Sequence, residues 1–310
     1  MLPTRRGSIH LFRVAGINVW LHWSWFLVAM IEISYRRGNY GSLTWNVLEY
    51  VALFAIVLLH EMGHAFACRS VGGQADEIVL WPLGGVAYVA PPMRPGATLW
   101  SIAAGPLVNV GLFFVLGGAL LLAGATGWLG AAPDVVRLLQ TVWVINLGLL
   151  IFNVLPVYPL DGGQILRSLL WFGLGRARSL LVASIIGFVG VAVMFVAAVA
   201  MVLRGDQQNG VWFGILSLFI LGNCWRGLQH ARHLARVARL PRRDGFKCPS
   251  CGAAPPIGAW WVCGRCGKAF DTFETLAVCP HCAAQFSGTR CLDCGEMHAV
   301  DAWRVPPPVL

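Results

Sequence analysis

The chain has 310 residues, 57% of them hydrophobic and only 12% charged. A soluble globular domain carries about 25% charged residues, so an ordinary soluble protein is excluded in favour of a membrane protein with some soluble part. The formal net charge of +9 does not argue for nucleic acid, because the arginines flank apolar segments instead of forming one patch interleaved with aromatics.

Residues 1–18 read as a short basic lead, with Arg5, Arg6 and Arg13, lying at the membrane surface. No cleavable signal peptide is expected, since the first long apolar stretch begins near Val19 and lacks a small-residue cleavage pattern after it. Trp20, Trp23 and Trp25 cluster there, and most of the 14 tryptophans read as interfacial lipid anchors. Apolar spans follow at roughly 19–34, 46–68, 98–125, 138–158, 179–203 and 211–225, each near the ~20 residues that a bilayer requires. Gly and Pro break the third and fourth. Arginine distribution orients the six. Fourteen arginines fall in the lead and in segments 65–97, 161–180 and 226–244, against four in the alternate loops, which places both termini in the cytoplasm.

The second span contains His60-Glu61-Met62-Gly63-His64. Four residues apart on a helix, the two imidazoles project from one face and can bind one metal, and Glu61 beside them can reach a water there. Two His and a Glu are expensive to bury in a membrane-length apolar helix, so such a cluster marks function by default. The competing reading is a helix whose polar residues pair with neighbouring helices.

Residues 78–90 are apolar but too short to span, and the pair Gly84-Gly85 between β-prone runs reads as a hairpin turn. Such a hairpin must bury its edge in protein or offer it to a ligand. A zinc hydrolase needs a third protein ligand and an open fourth position. Asp161 is the candidate, at the end of the fourth span within Asn153-Val-Leu-Pro156-Val-Tyr-Pro159-Leu160-Asp161-Gly162-Gly163. A helix cap is the other role open to it; beside the His pair, the ligand reading is preferred.

Arg226 to Arg243 carries six arginines and reads as a continuation of the last helix drawn to anionic lipid. Pro241–Asp244 is the expected domain boundary. Beyond it, four CxxC pairs supply Cys248, Cys251, Cys263, Cys266, Cys279, Cys282, Cys291 and Cys294. They form two sets of four thiolates, each suited to one tetrahedral structural zinc, and a reducing cytoplasm disfavours disulfides. Gaps of 11, 12 and 8 residues suggest the sequential sets Cys248/Cys251/Cys263/Cys266 and Cys279/Cys282/Cys291/Cys294; a crossed arrangement, or substitution by His281 or His298, stays open. Cys68 and Cys224 are expected simply to pack. Five basic and five acidic residues between 245 and 310 make a poor footprint for phosphates, so no nucleic acid is expected. The exposed-looking Trp260-Trp261 pair and the Pro306-Pro307-Pro308 tail suit protein contacts better.

On these residues the chain resembles the site-2 protease family of intramembrane zinc metalloproteases. The resemblance covers roughly residues 10–225. It rests on His60-Glu61-x-x-His64, Asn153-x-x-Pro156-x-x-x-Leu160-Asp161-Gly162, Pro82-Leu83-Gly84-Gly85 and Ala104-Gly105-Pro106-Leu107-Val108-Asn109, in the family's order. It implies that His60, His64 and Asp161 bind a catalytic zinc and that Glu61 activates water. It further implies that Asn109 and Asn153 help to position an unwound substrate, helix–helix hydrogen bonding being the alternative. The 78–90 hairpin, with Gly84 and Gly85, would accept the extended substrate by β-addition.

The expected architecture is therefore mainly α: a polytopic bundle of about six helices with a membrane-associated hairpin, and a small β-rich zinc-ribbon domain. Residues 1–225 form the protease domain, 226–244 a basic juxtamembrane helix and linker, and 245–310 two zinc ribbons. The expected cofactors are one catalytic and two structural zinc ions. Membrane-anchored protein substrates and the lipid bilayer are the expected partners, in a bacterial inner membrane, with the ribbons selecting or presenting substrate. The rival is a non-proteolytic membrane scaffold recruiting partners through its ribbons, which loss of Glu61 or Asp161 would favour; neither is lost.

Overall fold

A computed structural model describes residues 7–36, 38–81 and 84–305. Arg5, Arg6, Arg37, Pro82, Leu83 and the Pro306-Pro307-Pro308 tail lie outside the described residues. In chain order the elements are β1 (Ser8–Val14), β2 (Ile17–His22), α1 (Ser24–Tyr35), α2 (Leu43–Ser70), β3 (Gln74–Trp81), β4 (Gly84–Ala90) and α3 (Pro95–Ala125). A four-residue α4 (Trp128–Ala131) leads to α5 (Pro133–Val154), α6 (Asp161–Leu203) and α7 (Gln207–Ala238). Among the described residues, five helices, α2, α3, α5, α6 and α7, are long and apolar enough to cross a membrane.

The expected first span is divided. Val19 to His22 belong to β2, and only from Ser24 is the chain helical. At 12 residues α1 is about 18 Å long, short of the ~30 Å hydrocarbon core. Ile17 and Val19 alternate inward with Asn18 between them, and both are fully buried. Within the basic lead, Ser8–Val14 is a strand that pairs antiparallel with β2 and is largely exposed. Trp25 is no lipid anchor; it is buried edge-on against Tyr50 and Phe54, whereas Trp23 is half exposed.

The four strands form one sheet in the order β1-β2-β3-β4, with β2 and β3 parallel and the other pairs antiparallel. Ile17 and Val19 of β2 and Ala75, Ile78 and Leu80 of β3 pack with Ala65 and Cys68 of α2, so the sheet covers the helix turns that carry the His pair. Gly84 and Gly85 are not the hairpin turn. They open β4, paired opposite Trp81 and Leu80.

Segment 161–180, read as a connection, is helix. α6 runs for 43 residues, interrupted at Gly175 by a left-handed φ of 74°. Its first turn packs on the chain just before it: a Cβ on Gly162 would lie 2.1 Å from the Val154 carbonyl oxygen, which accounts for a small residue directly after Asp161.

The chain divides into two compact units, 1–173 with 182–227, and 174–181 with 228–310. In the second, the strands β5 (Trp261–Val262), β6 (Ala269–Phe270), β7 (Thr289–Arg290) and β8 (Met297–His298) form two two-stranded ladders, β5-β6 and β7-β8. Phe273 is their hub, with ring contacts of about 5 Å to Phe246, Trp261 and Trp303. Trp261 is thus core, and only Trp260 of the tryptophan pair is exposed. Two of the six arginines expected to meet lipid are taken by this unit. Arg242 forks onto Asp293 at 2.6 and 3.1 Å, which raises its pKa, and Arg243 reaches Asp271 at 2.6 Å.

Candidate metal centre and active site

Two turns from the end of α2, His60 and His64 project from one face, and the first residue of α6 brings Asp161 to them. His60 Nε2 lies 3.0 Å from Asp161 Oδ2, His64 Nε2 lies 3.3 Å from the same oxygen, and the two Nε2 atoms are 3.1 Å apart. A tetrahedral zinc with ligands at ~2.0–2.1 Å holds its donors about 3.3 Å apart, so the triangle fits.

The remaining ring nitrogens are committed to acceptors. His60 Nδ1 is 2.5 Å from Asn109 Oδ1, and His64 Nδ1 is 2.9 Å from the Ser101 carbonyl oxygen. Both Nδ1 atoms therefore carry the proton, and both Nε2 lone pairs face a carboxylate oxygen. Three acceptors converging in a buried space call for a cation between them. Space is kept for one: a Cβ on Gly105 would lie 2.3 Å from His64 Nε2 and 2.8 Å from His60 Nε2. Pro106 cannot donate to the Ile102 carbonyl and so loosens the turn whose Ser101 carbonyl accepts from His64.

Glu61 is buried and turned to the sheet, where its Oε2 accepts a hydrogen bond of 2.8 Å from the Ala87 amide. Ala87 lies on β4, an edge strand, so its outward N–H is otherwise unclaimed by the ladder. Gly85 makes room for this approach, since a Cβ there would lie 2.3 Å from Glu61 Cγ. Asn153 is partly exposed, one residue before the end of α5. Asn109 is fully buried, and its amide nitrogen donates to Asn146 Oδ1 at 2.8 Å.

Sequence reasoning missed Asn146 and Ser101. The signal for Asn146 was present, a polar residue inside a membrane-length apolar run. It also missed a polar cluster at the other end of α2, where buried Glu49 accepts from Tyr40 Oη at 2.5 Å and pairs with Arg36 at 2.6 Å. A cavity of about 200 Å³ lies there, lined by Glu32, Arg36, Asn46, Glu49 and Tyr50, and so away from the metal centre.

The eight ribbon cysteines form two clusters, but the expected sequential pairing is wrong. Cys248 and Cys251 meet Cys291 and Cys294, and the inner set Cys263, Cys266, Cys279 and Cys282 closes within that loop. Sulfur–sulfur distances of 3.6–3.8 Å match the edge of a tetrahedral zinc site with Zn–S of ~2.3 Å. Crowding forces the thiols to share protons. Cys263 is pulled down to about 6 by the amides of Cys266 and Arg265, and Cys291 to about 5 chiefly by the Cys251 thiol, whose own pKa is driven up in return. A zinc ion bound at each cluster would take the place of those protons. His298 lies outside both clusters, with its Nε2 2.7 Å from Ser250 Oγ.

Held among membrane-length helices, the His-His-Asp donor set could hold one metal ion, with Glu61 next to it in sequence. The chain belongs to peptidase family M50, the site-2 protease family, whose sequence profile matches residues 49–128 and 125–197. It is 34% identical to zinc metalloprotease MJ0392 of Methanocaldococcus jannaschii over 213 residues, covering 69% of this chain and 58% of that one. Putative zinc metalloprotease Rip3 of Mycobacterium tuberculosis is 31% identical over 240 residues, covering 69% and 57%. Putative zinc metalloprotease YwhC of Bacillus subtilis is 30% identical over 200 residues, 62% of this chain and 84% of that protein. The alignments with MJ0392 and Rip3 thus span under two thirds of those proteins. The solved site-2 protease from M. jannaschii superposes with a TM-score of 0.50 at 29% identity, covering 71% of this chain and 95% of that one.

Proposed function

We propose that this chain is an intramembrane zinc endopeptidase that cuts membrane-anchored proteins in or near their transmembrane segments. The observation that carries the proposal is the convergence of His60, His64 and Asp161 within 3.3 Å, with Glu61 one residue away in sequence. Zinc bound there supplies an acidified water and a polarised carbonyl, the pKa of such a water falling from 15.7 to about 7. Glu61 would accept the proton of a water held there as it attacks a scissile carbonyl, and would return it to the leaving amine. A helical substrate hides its peptide bonds, so the segment must unwind. The outer edge of β4 offers the lost hydrogen bonds back by strand addition, with Asn153 as a further contact to the unwound chain. The test of activity compares membrane-protein fragments from cells carrying the native chain or its Glu61→Gln variant. Fragments common to both would count against it.

The ribbons, in this reading, select or present substrate and take no part in hydrolysis. Four-thiolate sites leave no position for water, so each is a structural site. Near-equal charge and exposed Trp260, Ile257 and Val262 favour protein contacts. Truncation after Arg243 should leave cleavage of a short transmembrane peptide intact and abolish that of a native substrate. Equal loss with both, in a folded and zinc-loaded membrane domain, would assign the ribbons a catalytic or allosteric part instead.

A bacterial inner membrane is the placement proposed, and the arginine distribution supports an orientation with both termini cytoplasmic and α1 as a short first crossing. Its ~18 Å reach requires local thinning or flanking interfacial residues such as Trp23. A reporter cysteine at Gly38 should then react with an impermeant reagent in intact cells; labelling of the carboxyl-terminal tail instead would reverse the orientation.

A further inference from the structure

We infer that Asn146, acting through Asn109, fixes the tautomer of His60 and thereby keeps its metal-facing nitrogen free; both are positioning residues. The inference rests on the zinc-site reading above and extends it to a residue on a third helix. Asn109 of α3 and Asn146 of α5 are each 0% exposed. A chain of bonds connects them. Asn146 Nδ2 donates to the Asn109 backbone carbonyl at 2.9 Å, Asn109 Nδ2 donates to Asn146 Oδ1 at 2.8 Å, and Asn109 Oδ1 stands 2.5 Å from His60 Nδ1.

The direction of that chain follows from its first member. A backbone carbonyl can only accept, so the Asn146 NH₂ must face it. The Asn146 oxygen then faces Asn109 and can only accept in turn. That turns the Asn109 NH₂ toward Asn146 and the Asn109 oxygen toward His60. An oxygen there requires the proton on Nδ1, and Nε2 is left with its lone pair toward His64 and Asp161. Turning the Asn109 amide over would set its NH₂ against Nδ1, drive the proton to Nε2 and close the metal-binding position. His64 needs no such relay, because the Ser101 carbonyl reaches its Nδ1 directly.

Simple helix–helix adhesion by buried amides is the rival account. It needs only that the two amides touch, and it predicts nothing about metal. The relay predicts that the orientation of Asn109 matters, and that a symmetric acceptor at position 109 would make Asn146 dispensable. Asn109→Asp supplies such an acceptor: either carboxylate oxygen accepts from His60 Nδ1, whichever way it is turned.

The test is a zinc competition titration on the purified full-length protein, with the His60→Ala, His64→Ala, Asp161→Ala triple variant as the blank for the ribbon sites. Partners that orient a ligating His are typically worth 10–100-fold in metal affinity. Asn146→Leu alone should therefore weaken the membrane site by about that factor while leaving ribbon zinc unchanged. Asn146→Leu in the Asn109→Asp background should cost no more than about twofold, the scatter of uncoupled sites. An equal loss in both backgrounds, or none in the first, would overturn the relay while leaving the zinc site standing. Failure of the unsubstituted protein to exceed the triple-variant blank would sink the zinc-site reading and the relay together.

Discussion

Glu61→Gln should retain zinc and fold and lose hydrolysis. The Gln side-chain oxygen can still accept from the Ala87 amide, so the contact that holds the residue to β4 survives. What disappears is the base. General acid–base catalysis contributes typically ~10²–10⁴-fold, and a residue that serves first as base and then as acid should cost toward the upper end. Glu61→Ala is a poorer probe, because it also strips the acceptor from the Ala87 N–H. Steady-state cleavage rates at matched zinc occupancy measure the effect. A Glu61→Gln protein cutting at near the native rate would mean that another group carries the proton.

The second large effect is on metal content. On the proposed function, the three donor sets among the described residues would hold three zinc ions per chain, one at His60, His64 and Asp161 and two at the cysteine clusters. Replacing the three membrane ligands with alanine should lower the count from about three to about two, with the ribbons untouched. Asp161→Ala alone should release the membrane ion under mild chelation, since a pair of histidines falls short of the three protein ligands that catalytic zinc sites use. Elemental analysis of the purified chain reads both. Three zinc ions remaining in the triple variant would place the third ion elsewhere.

The centre was legible because its signals are local. His60 and His64 declare their shared face by spacing alone, and Asp161 stands out as a carboxylate at the end of an apolar run. Non-local features were not. Four identical CxxC pairs with gaps of similar length give no sign that the first must find the last, and the nested arrangement is set by tertiary contacts around Phe273. The strands β1 and β2 were lost for a different reason: Ile17-Asn18-Val19 alternates for only three residues before the apolar Trp20 and Leu21 run on toward α1, and so short a period is outweighed by the length of the run that follows it. Asn146 was visible as a polar residue in a span, but its partner lies 37 residues away on another helix. The Gly84-Gly85 pair misled because glycine serves two ends. It was read for turn freedom, whereas Gly85 is small so that Glu61 can approach.

The most direct measurement is mass spectrometry of a model transmembrane peptide incubated in liposomes with the purified full-length protein. The native chain should generate a new cut within or next to the apolar segment. That cut should vanish after chelation, return with added zinc, and be absent with Glu61→Gln. A cut that persists through both chelation and the Glu61→Gln change would contradict a zinc-dependent active site at His60, His64 and Asp161, and an intact peptide with the zinc-loaded native chain would contradict peptidase activity itself.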